Sequence, residues 1–214
     1  MNSLYYSEYS DLLGRVFDVA YKTSFSLEAL EKRISNNAFF KSIEGSLEDF
    51  APTITDVELT KQIFHEISFN IDEIPQYIQT LWAGEAYIYI QEETGLTFEA
   101  IFLIFPIGKM LGCFDLYHEM DFSQIVSFFM VERSNKNVFS ALLDKYKFSL
   151  KKIEEKTGIP YETLRSLKTK RRDIKKASVE VVSSLAKIFN VRIDTIAEIE
   201  QVKQKDIKEL LNTL

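Results

Sequence analysis

Arg165, Lys168, Lys170, Arg171, Arg172, Lys175 and Lys176 place seven cations within twelve residues. Cations at that density suit a polyanion: contacts to phosphates release counterions and give an affinity that falls as salt rises. The rest of the chain sharpens the contrast. Residues 1–136 carry 9 Lys and Arg against 21 Asp and Glu, whereas residues 137–214 carry 17 against 11, within an overall net charge of −6. A basic segment inside an acidic chain is a candidate nucleic-acid footprint.

Other reactive side chains are sparse. The two histidines, His65 and His118, and the single Cys113 make no recognisable metal box. Tyr117-His118-Glu119-Met120-Asp121 sets a histidine beside two carboxylates, but it reads more simply as a polar loop with Asp121 capping the next helix. It lacks the second histidine of the zinc-protease helix motif. Gly108 and Gly112 do not form a phosphate loop, and Phe39, Phe40, Phe128 and Phe129 read as core. The expectation is therefore no catalytic residue, no metal and no cofactor. One cysteine allows no internal disulfide, which fits a reducing compartment. The N-terminus shows no secretory signal. The apolar run 100–107 is about half of a membrane span. A cytoplasmic protein without a membrane segment is expected.

The elements that must position the cations are helices. Glycine and proline number only 7 and 4, and Leu, Ile, Glu and Lys abound, which favours an all-α chain. Val138, Phe139, Leu142, Leu143 and Tyr146 form one amphipathic stripe. Ser149 caps a short helix ending at Gly158, and Pro160 starts the next as a favourable first residue. Ser178 caps a helix with Val182, Leu185, Ile188 and Phe189, stopped by Asn190. A fifth helix is expected over about 193–199, and a last amphipathic one carries Ile207, Leu210, Leu211 and Leu214.

The stretch from Ser149 to Leu167, SLKKIEEKTGIPYETLRSL, resembles the helix-turn-helix of lambda-repressor-like, Cro-type (XRE) regulators. Gly158 can supply the positive φ of a tight inter-helix turn. Ile153, Ile159, Leu164 and Leu167 can clamp the crossing. With Leu185–Val191, Ile193 and Ile196 matching the fourth and fifth helices, the resemblance covers the C-terminal third of the chain. It implies duplex DNA as partner and a homodimer on a two-fold operator, with the second helix in the major groove. Base reading falls to Arg165, with Tyr161, Glu162 and Ser166 on the same polar face. Phosphate contacts fall to Lys168, Lys170, Arg171, Arg172, Lys175 and Lys176. Two departures stand out. Glu154 occupies a position where the family has a small residue, so it must snorkel or widen the crossing. The segment after the second helix is longer and more basic than the family's.

The middle of the chain echoes the motif. Ile90–Ile101, IQEETGLTFEAI, aligns without gaps on Ile153–Leu164, IEEKTGIPYETL. Where the C-terminal copy continues with Arg165, Ser166 and Lys168, the middle copy has Phe102, Leu103 and Phe105, a face that must be buried. Four regions follow: an acidic helical region over 1–70; an aromatic-rich helical region over 71–134, holding a degenerate helix-turn-helix-like unit used for packing or dimerisation; the DNA-binding unit over 137–200; and the amphipathic helix over 201–214. In the first two, helices are expected over 9–21, from Ser26, over 38–43, from Thr55, over 72–94 with a break at Gly84, from Thr97 to Pro106, and from Asp121. Residues 133–137 read as a linker. An alternative function is an antitoxin-like or phage-defence protein. Its acidic half would bind a protein partner, and its DNA-binding unit would autoregulate.

Overall fold

A computed structural model describes residues 6–44 and 52–199. Among them the chain is all-helical, with no strand. The order is α1 (Tyr6–Lys22), α2 (Leu27–Asn36), α3 (Ala38–Ile43), α4 (Asp56–Ile63), α5 (Ile78–Thr94), α6 (Phe98–Ile104), α7 (Ile107–Gly112), α8 (Phe114–Tyr117), α9 (Phe122–Asn135), α10 (Val138–Tyr146), α11 (Leu150–Thr157), α12 (Tyr161–Lys168), α13 (Val179–Phe189) and α14 (Ile193–Ile196). Short 3-10 turns occupy Ile71–Glu73 and Ile174–Lys176. No described helix is long and apolar enough to cross a membrane. The expected helix at Ile207–Leu214 lies outside the described residues.

Side-chain caps set most boundaries. Ser26, Asn37, Thr97, Asp121, Asn137, Ser149 and Ser178 each accept a backbone N–H of the helix that follows, and Thr55 with Glu58 forms a capping box. Asn37 also lies just past the C-terminus of α2, so it alone separates α2 from α3.

Gly84 does not break α5. A Cβ there would lie 2.6 Å from the Gly14 nitrogen and 2.8 Å from the Ser10 carbonyl oxygen, so glycine lets α1 and α5 cross in backbone contact. The helix begins at Ile78 rather than near Asp72, because Pro75 intervenes. Asp72 belongs to the preceding 3-10 turn. α1 pins this entry: Arg15 donates to the carbonyls of Ile71 (2.5 Å) and Ile74 (2.7 Å). Asp18 accepts from Tyr77 N (3.1 Å) and from the Thr80 hydroxyl.

The expected linker over residues 133–137 is mostly helix. α9 continues to Asn135, and Lys136 alone separates it from the Asn137 cap of α10. α7 and α8 fill a stretch in which no helix was expected. Pro160 is the N-cap of α12 rather than its first residue, and α14 stops at Ile196.

One continuous apolar cluster runs from α1 to α14. Helix α6 joins its two ends by packing against α2, α5 and α9 as well as α10 and α14. A polar seam lies beside it. Glu44 accepts from Phe98 N (2.8 Å) and pairs with Arg192 (2.6 Å), which also pairs with Asp194. The Thr97 and Thr195 hydroxyls lie 3.0 Å apart. Glu198 accepts from Val138 N (2.9 Å) and Arg133 (3.4 Å).

Candidate nucleic-acid interface

Helices α11 and α12 meet at Gly158, whose φ of 69° and ψ of 4° lie in the left-handed region. Its N–H closes on the Glu154 carbonyl (2.8 Å). Thr157 tightens the turn, donating its hydroxyl to the Ile153 carbonyl (2.7 Å) and accepting from Ile159 N (3.2 Å). Ile153, Ile159, Leu164 and Leu167 are buried at the crossing, as their spacing implied.

Glu154 is half-buried. Its carboxylate accepts from Tyr161 N at 2.8 Å and so caps α12, whose own N-cap, Pro160, provides no side-chain acceptor. A carboxylate at a helix N-terminus is also favoured by the helix dipole. At the far end, Asn137 donates to the Leu167 carbonyl (2.8 Å) while capping α10 through Ser140 N (2.8 Å). Sequence reasoning assigned neither role. The identity of Asn137 as a capping residue was a signal for the second bond only.

With one face of α12 packed, Tyr161, Glu162 and Arg165 are exposed on the other. Arg165 and Glu162 form a surface pair at 3.7 Å, a contact weak enough for Arg165 to exchange for another partner. Ser166 is half-buried and donates its hydroxyl to the Thr163 carbonyl (2.8 Å), which sets it apart from the three outward side chains.

The basic segment is tethered at several points. Ile174 is buried, Asp173 accepts from Lys175 N (3.0 Å), and Arg172 N reaches the Ser166 carbonyl (3.2 Å). Lys168, Arg171, Arg172, Lys175 and Lys176 are all exposed. Lys170 differs. Its backbone is left-handed (φ 57°), and its ammonium donates to the carbonyls of Arg133 and of Ser134 (3.1 Å), closing the end of α9. Burial lowers its pKa. The sequence set it among the phosphate contacts; the fold gives it a structural task. Among the described residues the acidic region reaches this unit through α10, α14 and the end of α9, and the other five cations remain exposed to solvent.

The middle turn repeats this local geometry. Gly95 has φ 62° and ψ 9°, and its N–H closes on Gln91 (2.8 Å). Thr94 donates to the Ile90 carbonyl (2.7 Å) and accepts from Leu96 N (3.3 Å). The face of α6 is the opposite of that of α12: Phe102 and Phe105 are 2% and 0% exposed, packed against Tyr87 and against Phe128 and Phe129.

His118 stacks on Phe114 at 4.4 Å, its Nδ1 is 2.8 Å from the Phe114 carbonyl, and Asp121 caps α9 through Ser123 N. Among the described residues no group of three His, Cys, Asp or Glu side chains is placed to hold a metal ion. Comparison with protein-family models, with curated proteins and with solved structures finds no match for this chain.

Proposed function

We propose that this chain is a sequence-specific duplex DNA-binding protein of the helix-turn-helix kind, acting as a transcriptional regulator. The observation that carries the proposal is α12. It is fixed on one face by Leu164 and Leu167, capped across the turn by Glu154, and exposes Arg165 and Tyr161 next to a run of exposed cations. A helix in the major groove needs such a face, with phosphate contacts at its end.

In this reading Arg165 reads base edges, and its fork suits the O6 and N7 of guanine. Glu162 holds Arg165 in the free protein and can accept from cytosine N4. Tyr161 stands at the N-terminal end of the helix. Ser166 is a minor contributor, since its hydroxyl proton is committed to the helix. Lys168, Arg171, Arg172, Lys175 and Lys176 contact phosphates, and Lys170 holds the segment against α9. One such unit buries little surface, so tight selective binding calls for a homodimer on paired half-sites.

Selection of binding sites from a random duplex pool tests the proposal. Enrichment of one motif, repeated with two-fold symmetry about one helical turn apart, is the expected outcome. A pool that stays unenriched over successive rounds would refute sequence-specific binding.

A further inference from the structure

A cavity of about 390 Å³ lies between α2 and α6 on one side and α10 and the α13–α14 connection on the other. It continues into a second cavity of about 440 Å³ that shares Glu28, Glu31, Phe102, Leu103 and Lys145. Volumes of this size are typical of small-molecule sites. The lining combines Phe102, Leu103, Leu142 and Tyr146 with three carboxylates.

Glu31 is the anchor. It is 8% exposed, and one oxygen accepts from Ile107 N at 2.8 Å. The other oxygen makes no hydrogen bond among the described residues, although the residue borders the cavity. Burial pushes its pKa up, and the Ile107 N–H and then Lys145 draw it only partly back. Lys145 lies 3.7 Å from Glu28 at the rim, and Lys32 is exposed. Glu99, from α6, is already bonded to Arg192 N (3.4 Å). The cavity is therefore bordered by a carboxylate on a largely buried residue, with one oxygen bonded to Ile107 N, beside apolar and aromatic walls.

We propose that this cleft binds a small organic cation, a primary ammonium on a short aromatic or apolar stem, with the ammonium on Glu31 and the stem between Leu103 and Tyr146. Such a molecule would touch α2 and α6 of the acidic region and α10 of the basic unit at once. The site does not depend on the DNA-binding reading and is tested without DNA.

Calorimetry on the full chain compares 2-phenylethylamine with 2-phenylethanol. The amine is expected to bind saturably at one site, at least about tenfold tighter than the alcohol, as a charge-assisted bond to a buried carboxylate requires. Glu31→Gln keeps an acceptor for Ile107 N and should abolish that preference. Leu103→Trp should block the cleft with Glu31 intact. Equal affinities for amine and alcohol would overturn the proposal, as would amine binding unchanged in both variants or no binding up to millimolar ligand. A lysine-bearing tetrapeptide that binds more tightly than the amine would also overturn it, in favour of a protein partner.

Discussion

Gly95 and Gly158 end two helices in nearly the same way. Each has a left-handed backbone, a preceding threonine that bonds four residues back, and an apolar residue one position on. The helices that follow have opposite fates. α6 carries Phe102 and Phe105 inward and joins the two ends of the core, whereas α12 shows Arg165 and Lys168 to solvent. The turn is set by local chemistry, a glycine free to take positive φ and a threonine that fastens it. The use of the helix is set by what lies seven and ten residues past the glycine, Phe102 and Phe105 in one copy and Arg165 and Lys168 in the other.

The largest expected effect separates the two faces. Phe102→Ala should destabilise the fold by about 3–5 kcal/mol, because it removes a buried ring that packs against Tyr87. Arg165→Ala should stay within about 0.5 kcal/mol of wild type, as an exposed side chain in a weak pair. Urea unfolding of both variants measures the difference. Similar losses would show that the two faces are not distinct.

The loss of DNA discrimination should be next in size. Arg165→Ala should weaken a selected site by about 1–3 kcal/mol more than random duplex. Arg171→Ala combined with Arg172→Ala should weaken both duplexes alike and flatten the salt slope by up to about two units. Lys170→Ala should instead lower stability and leave that slope nearly unchanged. A slope change in the Lys170 variant equal to one full phosphate contact would return Lys170 to the phosphate set.

A smaller effect tests the turns. Glu154→Ala removes the cap of α12 and should cost about 0.5–2 kcal/mol. Gly158→Ala meets no neighbour within 4 Å, so its cost of about 1–2 kcal/mol should be conformational alone. Urea midpoints report both. A Gly158→Ala variant as stable as wild type would contradict the strain argument.

The smallest effect is on pH dependence. Burial raises the pKa of Glu31, Glu44, Glu85 and Glu99, and of Asp11. For a carboxyl whose folded pKa is raised, the folded state binds the proton more tightly. Its contribution is therefore full below the unfolded value and is lost as pH rises through the folded one. The capping carboxylates Glu58, Asp121 and Glu180 are held low by hydrogen bonds at helix N-termini, and their contribution disappears on further acidification. Thermal unfolding should thus show a higher Tm at roughly pH 5 than at neutrality, followed by a fall at lower pH. A Tm that declines steadily from neutral pH would contradict this order.

Much of this was legible in the residues. The caps at Ser26, Thr55, Thr97, Ser149 and Ser178 marked helix starts because capping is a contact over two or three positions. The buried face of α12 followed from its apolar period. Features that depend on distant partners were not legible. Gly84 looks like a helix breaker until Gly14 is seen against it, 70 positions away. Lys170 looks like its basic neighbours until its ammonium is found on the end of α9. The Glu44–Arg192 pair spans 148 positions, and no local pattern announces it. Short helices α7 and α8 escaped because Gly108 and Gly112 interrupt any period there.

Fluorescence anisotropy of the full chain with labelled duplex from upstream of its own gene, against a random duplex at low and near-physiological salt, tests the central claim most directly. Binding to the upstream duplex that persists at physiological salt, with far weaker binding to the control, is the predicted result. Weak binding to both that disappears as salt rises would reduce the basic segment to a non-specific patch and contradict the account.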